Sequence, residues 1–138
     1  MDLSGWYTYM GVRIFLVVDQ HYEDLRRLIS TLHRKFPDAI IHECHLAAHA
    51  LQLAETHRLD AIVVHRPIAM SGETLVRRLR ALLPGVPILM VSDGENNAAA
   101  LTAGASAVVN FEARTTVGKA VARLLCDESK EPWRESES

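Results

Sequence analysis

Short apolar runs alternate with longer stretches of helical period through most of this chain. Val12–Val18, Ala61–Val64 and Pro87–Ser92 are nearly continuous runs of Val, Ile, Leu and Met, the pattern of strands buried on both faces. Ala39–Glu43 predicts an edge strand, because Ile40 and Ile41 give way to polar residues, and Ala107–Val109 predicts a fifth. Between the runs, Leu25, Leu28, Ile29, Leu32 and Phe36 recur at helical spacing and predict a helix from about Tyr22 to Lys35, stopped by Pro37-Asp38. Ala47, Ala50, Leu51 and Ala54 give a second helix over Leu46–His57. Ser71 caps a third, whose stripe is Leu75, Leu79, Leu82 and Leu83 and which ends before Pro84-Gly85. Asp93 caps a short Ala-rich helix over Glu95–Ala103, closed by Gly104, and Thr115–Cys126 completes the set through Val117, Val121, Leu124 and Leu125.

Five strands alternating with five helices predict an α/β fold with a parallel sheet covered on both faces and right-handed crossovers. The flavodoxin-like three-layer sandwich, with strand order 2-1-3-4-5, satisfies this pattern and places ligands at the carboxyl ends of adjacent strands 1 and 3. Those ends carry Asp19, Gln20 and His65.

Four segments carry a family likeness: Leu-Val-Val-Asp19, Leu-Asp-Ala-Ile-Val-Val before His65, Val-Pro-Ile-Leu-Met-Val-Ser92, and Ala103-Gly-Ala-Ser106. Together they make the stretch from Val12 to Cys126 resemble the receiver domain of two-component response regulators. The resemblance implies an acidic crevice in which carboxylates hold Mg²⁺ and an aspartate accepts a phosphoryl group, because attack by one anion on another requires the repulsion to be offset. This chain departs from that pattern. The first acid persists as Asp19 and the hydroxyl persists as Ser92, but the second acid is Gln20 and the acceptor position carries His65. The Lys position falls on Asn110 or, by strict spacing from Gly104, on Phe111. The loop after the acceptor, Arg66-Pro67-Ile-Ala-Met-Ser-Gly72, is about one residue short of the family's Met-Pro-x-x-x-Gly spacing.

The resemblance, with these departures, implies an atypical receiver, or pseudo-receiver: a non-enzymatic signalling module without a Mg²⁺ site or other cofactor, acting by phosphorylation-independent protein contact. Its partners would be other signalling proteins: a histidine kinase, a receiver or an output domain. The face formed by the fourth helix, fifth strand and fifth helix, bearing Asp93, Glu95, Leu101, Lys119 and Arg123, would support such contacts or a weak homodimer. Two alternatives stay open: a relay receiver phosphorylated at a non-standard residue, and a small-ligand sensor using the vacated crevice. At that crevice, strand adjacency places Asp19 and His65 in direct interaction, with Asp19 the one carboxylate expected there.

Composition narrows the picture further. Fifteen Lys+Arg against seventeen Asp+Glu give a net charge of -2, with no basic excess of the kind nucleic-acid binding requires. No apolar run approaches the roughly 20 residues of a membrane span, and Met1–Met10 lacks a signal peptide's organisation. Cys44 and Cys126, without a CxxC spacing, read as buried thiols of a cytoplasmic protein. The aromatic leader 1–11 and the charged tail 127–138, the latter expected to be disordered, flank the predicted domain 12–126. His42, Cys44, His45 and His49 cluster in sequence, yet Zn²⁺ would need three or four convergent ligands, and they read as edge histidines. Asp19-Gln-His21 is superficially similar to the Asp-x-His of cobalamin-binding domains, but the glycine that should come after it is missing. The run Arg77-Arg78…Arg80 alternates with Leu as a solvated helix face would.

Overall fold

The computed structural model describes residues 11–94 and 97–128. Strands β1 (Ile14–Asp19), β2 (Ile40–Cys44), β3 (Ala61–His65), β4 (Ile88–Ser92) and β5 (Ala107–Asn110) form one parallel sheet in the order β2-β1-β3-β4-β5. Helices α1 (Tyr22–Lys35), α2 (Ala47–Thr56), α3 (Gly72–Leu82), α4 (Asn97–Ala103) and α5 (Val117–Glu128) connect or follow the strands. The flavodoxin-like order, one of the solutions that the alternation allows, is therefore the one adopted.

Strand pleat divides the core in two. Ile14, Leu16, Val18, Ile62 and Val64 face Ala47, Ala50, Leu75, Val76, Leu79 and Ala100 of α2, α3 and α4. Phe15, Val17, Val63, Leu89 and Val91 face Leu25, Leu28, Leu32, Val117 and Val121 of α1 and α5. Both faces of β1 and β3 are thus buried, which explains why these strands show no polar alternation. Helix α1 carries Glu23 and Asp24 in its first turn and Arg34 and Lys35 in its last, complementing its dipole. Where α1 meets α5, Gly118 permits a close approach: a Cβ there would lie 2.5 Å from the carbonyl oxygen of Thr31.

Three details depart from the sequence reading. A 3₁₀ helix over Phe111–Thr116 links β5 to α5, where the sequence suggests a helix starting at Thr115, and α5 runs on to Glu128 rather than stopping at Cys126. Arg80 does not lie on a solvated face. Its guanidinium donates to the carbonyls of Leu83 (3.1 Å), Pro84 (3.0 Å), Val86 (2.7 Å) and Gly104 (3.0 Å) and to Ser106 Oγ (3.1 Å). It ties the end of α3 to the segments entering β4 and β5, while Arg77 and Arg78 stay exposed. Finally, Cys44 is buried but Cys126 is exposed, and no disulfide joins them. The leader 1–10, Glu95 and the tail beyond residue 128 lie outside the described residues. No described helix is long and apolar enough to cross a membrane.

Candidate functional site

Parallel pairing sets Asp19 of β1 directly beside His65 of β3, at the carboxyl edge of the sheet. Both side chains are fully buried, so each polar atom there needs a partner. Asp19 Oδ1 accepts from the backbone N–H of His21 at 3.0 Å, and Oδ2 meets His65 Nδ1 at 2.8 Å. The Asp19 carbonyl lies 2.7 Å from His45 Nδ1, and His45 is not among the clustered ligand atoms of the crevice. The imidazole of His65 is occupied on its other side as well: Nε2 lies 3.0 Å from Asp93 Oδ1.

An imidazole whose two nitrogens both face carboxylates is satisfied only as imidazolium, since the neutral ring keeps one nitrogen as an acceptor. Burial alone lowers the pKa of His65. Hydrogen bonds to Asp19 and Asp93 and the attraction of their charges together outweigh that effect and hold it above the ordinary histidine value. Phe111 lies flat against this ring, with centroids 4.8 Å apart and planes 10° from parallel, and the Arg114 guanidinium sits 4.5 Å from the Phe111 centroid. An aromatic side chain thus covers His65 at one of the two positions considered for the family's lysine, while Asn110 ends β5 exposed, in register with Ser92.

The expectation of a single carboxylate needs correction. Asp24, in the first turn of α1, and Asp93, just past β4, join Asp19 around the crevice. The sequence suggests a helix cap and a surface position for Asp93, but its carboxylate turns inward to His65 and Arg66. Arg66 Nη2 donates to Asp24 Oδ2 at 2.9 Å, and its Nε lies 3.3 Å from Asp93 Oδ2. Arg66 takes a positive φ of 45°, as Ala69 does with 76°. Non-glycine residues enter this region only where the surroundings impose it. Gln20 is exposed, and its backbone N–H donates to the Arg66 carbonyl at 2.8 Å. Ser92 Oγ is buried and accepts from Gly94 N at 3.0 Å.

Among the described residues, Asp19, Asp24 and His65 form the cluster whose ligand atoms lie within 4.8 Å of one another. The set does not fit Mg²⁺, which requires hard oxygen ligands in octahedral array. The Oδ2 atoms of Asp19 and Asp24 already face an imidazole and a guanidinium, and the third member offers nitrogen. The histidines near β2 do not assemble either. His42 packs edge-on to His57, with centroids 4.6 Å apart; burial first, then the His57 charge, lower its pKa. Beside the crevice, a cavity of about 370 Å³ is lined by Gln20, Arg66, Met70, Met90, Ser92 and Asp93 among others.

No family model and no curated protein matches the chain at the level of sequence. Solved structures do match. The signal receiver domain of the putative response regulator NarL from Mycobacterium tuberculosis superposes with a TM-score of 0.73 at 24% identity, covering 83% of this chain and 97% of that one. The chain has the receiver fold. A CheY-like response regulator receiver domain protein from Methanospirillum hungatei matches with a TM-score of 0.74 at 21% identity, over 86% of this chain and 97% of its own. A two-component response regulator of the LuxR family from Aurantimonas gives 0.73 at 21% identity, over 92% and 99%.

Of the positions singled out in sequence, Asp19, Gln20, His65, Ser92 and Asn110 stand together at the carboxyl edge of the receiver-like sheet. Asp24, Asp93, Arg66 and Phe111 complete the crevice. Phe111 is the alternative that sequence spacing offers for the lysine position; the other three have no role there that the sequence makes legible.

Proposed function

We propose that this domain is a signalling module of receiver type that works by binding other proteins and not by accepting phosphate. The observation that carries the reading is His65: both ring nitrogens engage carboxylates, and its imidazolium stands where the resemblance expects a nucleophilic aspartate. A protonated imidazole has no lone pair with which to attack phosphorus. The domain is then a binding module without catalytic chemistry, and its partners are a histidine kinase, another receiver or an output domain. Incubating the protein with acetyl phosphate and Mg²⁺ and weighing it intact tests this: an unchanged mass is expected, and the gain of one phosphoryl group overturns the proposal.

The contact surface we favour is the α4–β5–α5 face. Leu101 is 51% exposed there, and Lys119 and Arg123 are exposed one turn apart on α5. Glu95, expected on the same face, lies outside the described residues. An isologous contact through this face would give a weak homodimer. Sedimentation at high micromolar concentration detects it; a strict monomer that Arg123→Glu leaves unchanged excludes it. The cavity beside Gln20 and Ser92 favours a second reading, a small-ligand sensor. Ligand-induced shifts in the amide spectrum confined to Gln20, Gly72 and Ser92 would support that reading over the first.

A further inference from the structure

We propose that Arg66 is a tethered substitute for a divalent cation, which closes the acidic crevice to metal and fixes the segment after β4. The inference starts from charge. Three carboxylates, Asp19, Asp24 and Asp93, face three cations supplied by the chain itself: His65, Arg66 and Arg27, the last 3.1 Å from Asp24. A metal ion entering the crevice therefore meets no carboxylate without a counter-charge, and it would have to displace a guanidinium to reach Asp24.

Backbone geometry supports a dedicated role. Residue 66 follows the strand that ends in His65 and adopts a φ of 45°, a conformation glycine would take with less strain. In that conformation its carbonyl accepts from Gln20 at the end of β1. Its side chain meanwhile spans from α1 to the segment after β4, with Nη2 on Asp24 and Nε beside Asp93. Nη2 donates a hydrogen bond to Asp24, while Nε, which makes no hydrogen bond, faces Asp93 as a charge alone. The consequence is a clasp: α1, β3 and the segment after β4 are held in one arrangement by a cation that cannot dissociate.

The inference rests on the proposed reading that the crevice performs no phosphoryl chemistry, but its test needs no phosphodonor. Mn²⁺ is titrated into wild type, Arg66→Gln, Arg66→Gly and Arg66→Lys, and paramagnetic broadening of backbone amides is read by NMR. Wild type and Arg66→Lys should show no broadening centred on Gln20, Asp24 and Gly94 at millimolar Mn²⁺. Arg66→Gln and Arg66→Gly should show it, with affinity at least about tenfold above wild type. Arg66→Gly removes the guanidinium while suiting the positive φ, so it separates loss of the cation from loss of the fold. Broadening at the crevice of wild type overturns the proposal, and so does folded Arg66→Gly that gains no Mn²⁺. Phosphorylation of wild type by acetyl phosphate would instead sink the phosphate-free reading while leaving the metal result to stand on its own.

Discussion

Restoring the acidic residue that the resemblance expects, by His65→Asp, should damage this protein rather than repair it. Asp19 is fully buried and its carboxylate depends on His65 for one of two hydrogen bonds, while Asp93 depends on His65 for another. Hydrogen bonds to charged groups contribute about 1.5–3 kcal/mol each. Removing the cationic partner of a buried carboxylate costs about 3–5 kcal/mol, because the remaining charge is left uncompensated. The new carboxylate adds repulsion, on the order of 4 kcal/mol for charges about 4 Å apart at an effective dielectric of about 20, which Arg66 offsets in part. A net loss of at least about 3–5 kcal/mol near pH 7 results, a large share of the 5–15 kcal/mol (roughly) typical of a domain. Urea unfolding followed by far-UV circular dichroism measures it. The deficit should shrink as the pH falls towards about 4, where one proton can be shared among the carboxyl groups. A variant within about 1 kcal/mol of wild type at neutral pH would show that the His65 contacts contribute nothing net, and the charge-paired crevice would lose its energetic basis.

Three further outcomes are expected. The folded pKa of His65 is raised, so its contribution is fully present below the unfolded value of about 6.5 and is lost as pH rises through the higher folded value. The stability gap between wild type and His65→Gln should therefore narrow towards alkaline pH, and a gap that widens would reverse that sign. Arg80→Ala should cost about 2–3 kcal/mol in urea unfolding, because four carbonyls and a hydroxyl lose one charged donor, whereas Arg77→Ala should stay within about 0.5 kcal/mol. Iodoacetamide should label the exposed Cys126 and spare Cys44, which is buried and whose thiol burial pushes up to about 12; equal labelling of both by mass would contradict this.

The sheet was legible because each buried strand is a short apolar run; alternation with helices implied a parallel sheet, and the order 2-1-3-4-5, one standard solution for that pattern, came with the family resemblance. That order alone made Asp19 and His65 neighbours. Asp24 was not legible as a crevice residue, because an acid in a helix's first turn is already accounted for by the dipole. Asp93 suggested a cap for the same kind of local reason, and only the tertiary fold turns it inward onto His65. Arg66 acts through a backbone conformation that its residue type does not announce. Arg80 sits among arginines of similar spacing, and what distinguishes it is the set of carbonyls delivered by loops, one of them 24 residues away.

Strand β4 is gripped at both ends. Arg80 gathers the segments that lead into β4 and β5, and at the opposite edge Asp93 ties the residue after Ser92 to His65 and Arg66. Opening β4 from either end requires breaking a charged contact before the first ladder bond is released. Edge strand β2 has a single-ended charged contact, Glu43 with Arg26 of α1 at 2.6 Å, between two partly exposed side chains, and most of the strand is only half-buried. Hydrogen-exchange protection should therefore grade across the sheet, with the Leu89 and Val91 amides opening only with the whole molecule and those of β2 exchanging through smaller fluctuations. The contact face proposed beside β5 borders the clamped strand β4 through the β4–β5 ladder, so a partner docking there would meet a surface anchored on one side and lose less conformational entropy than on β2.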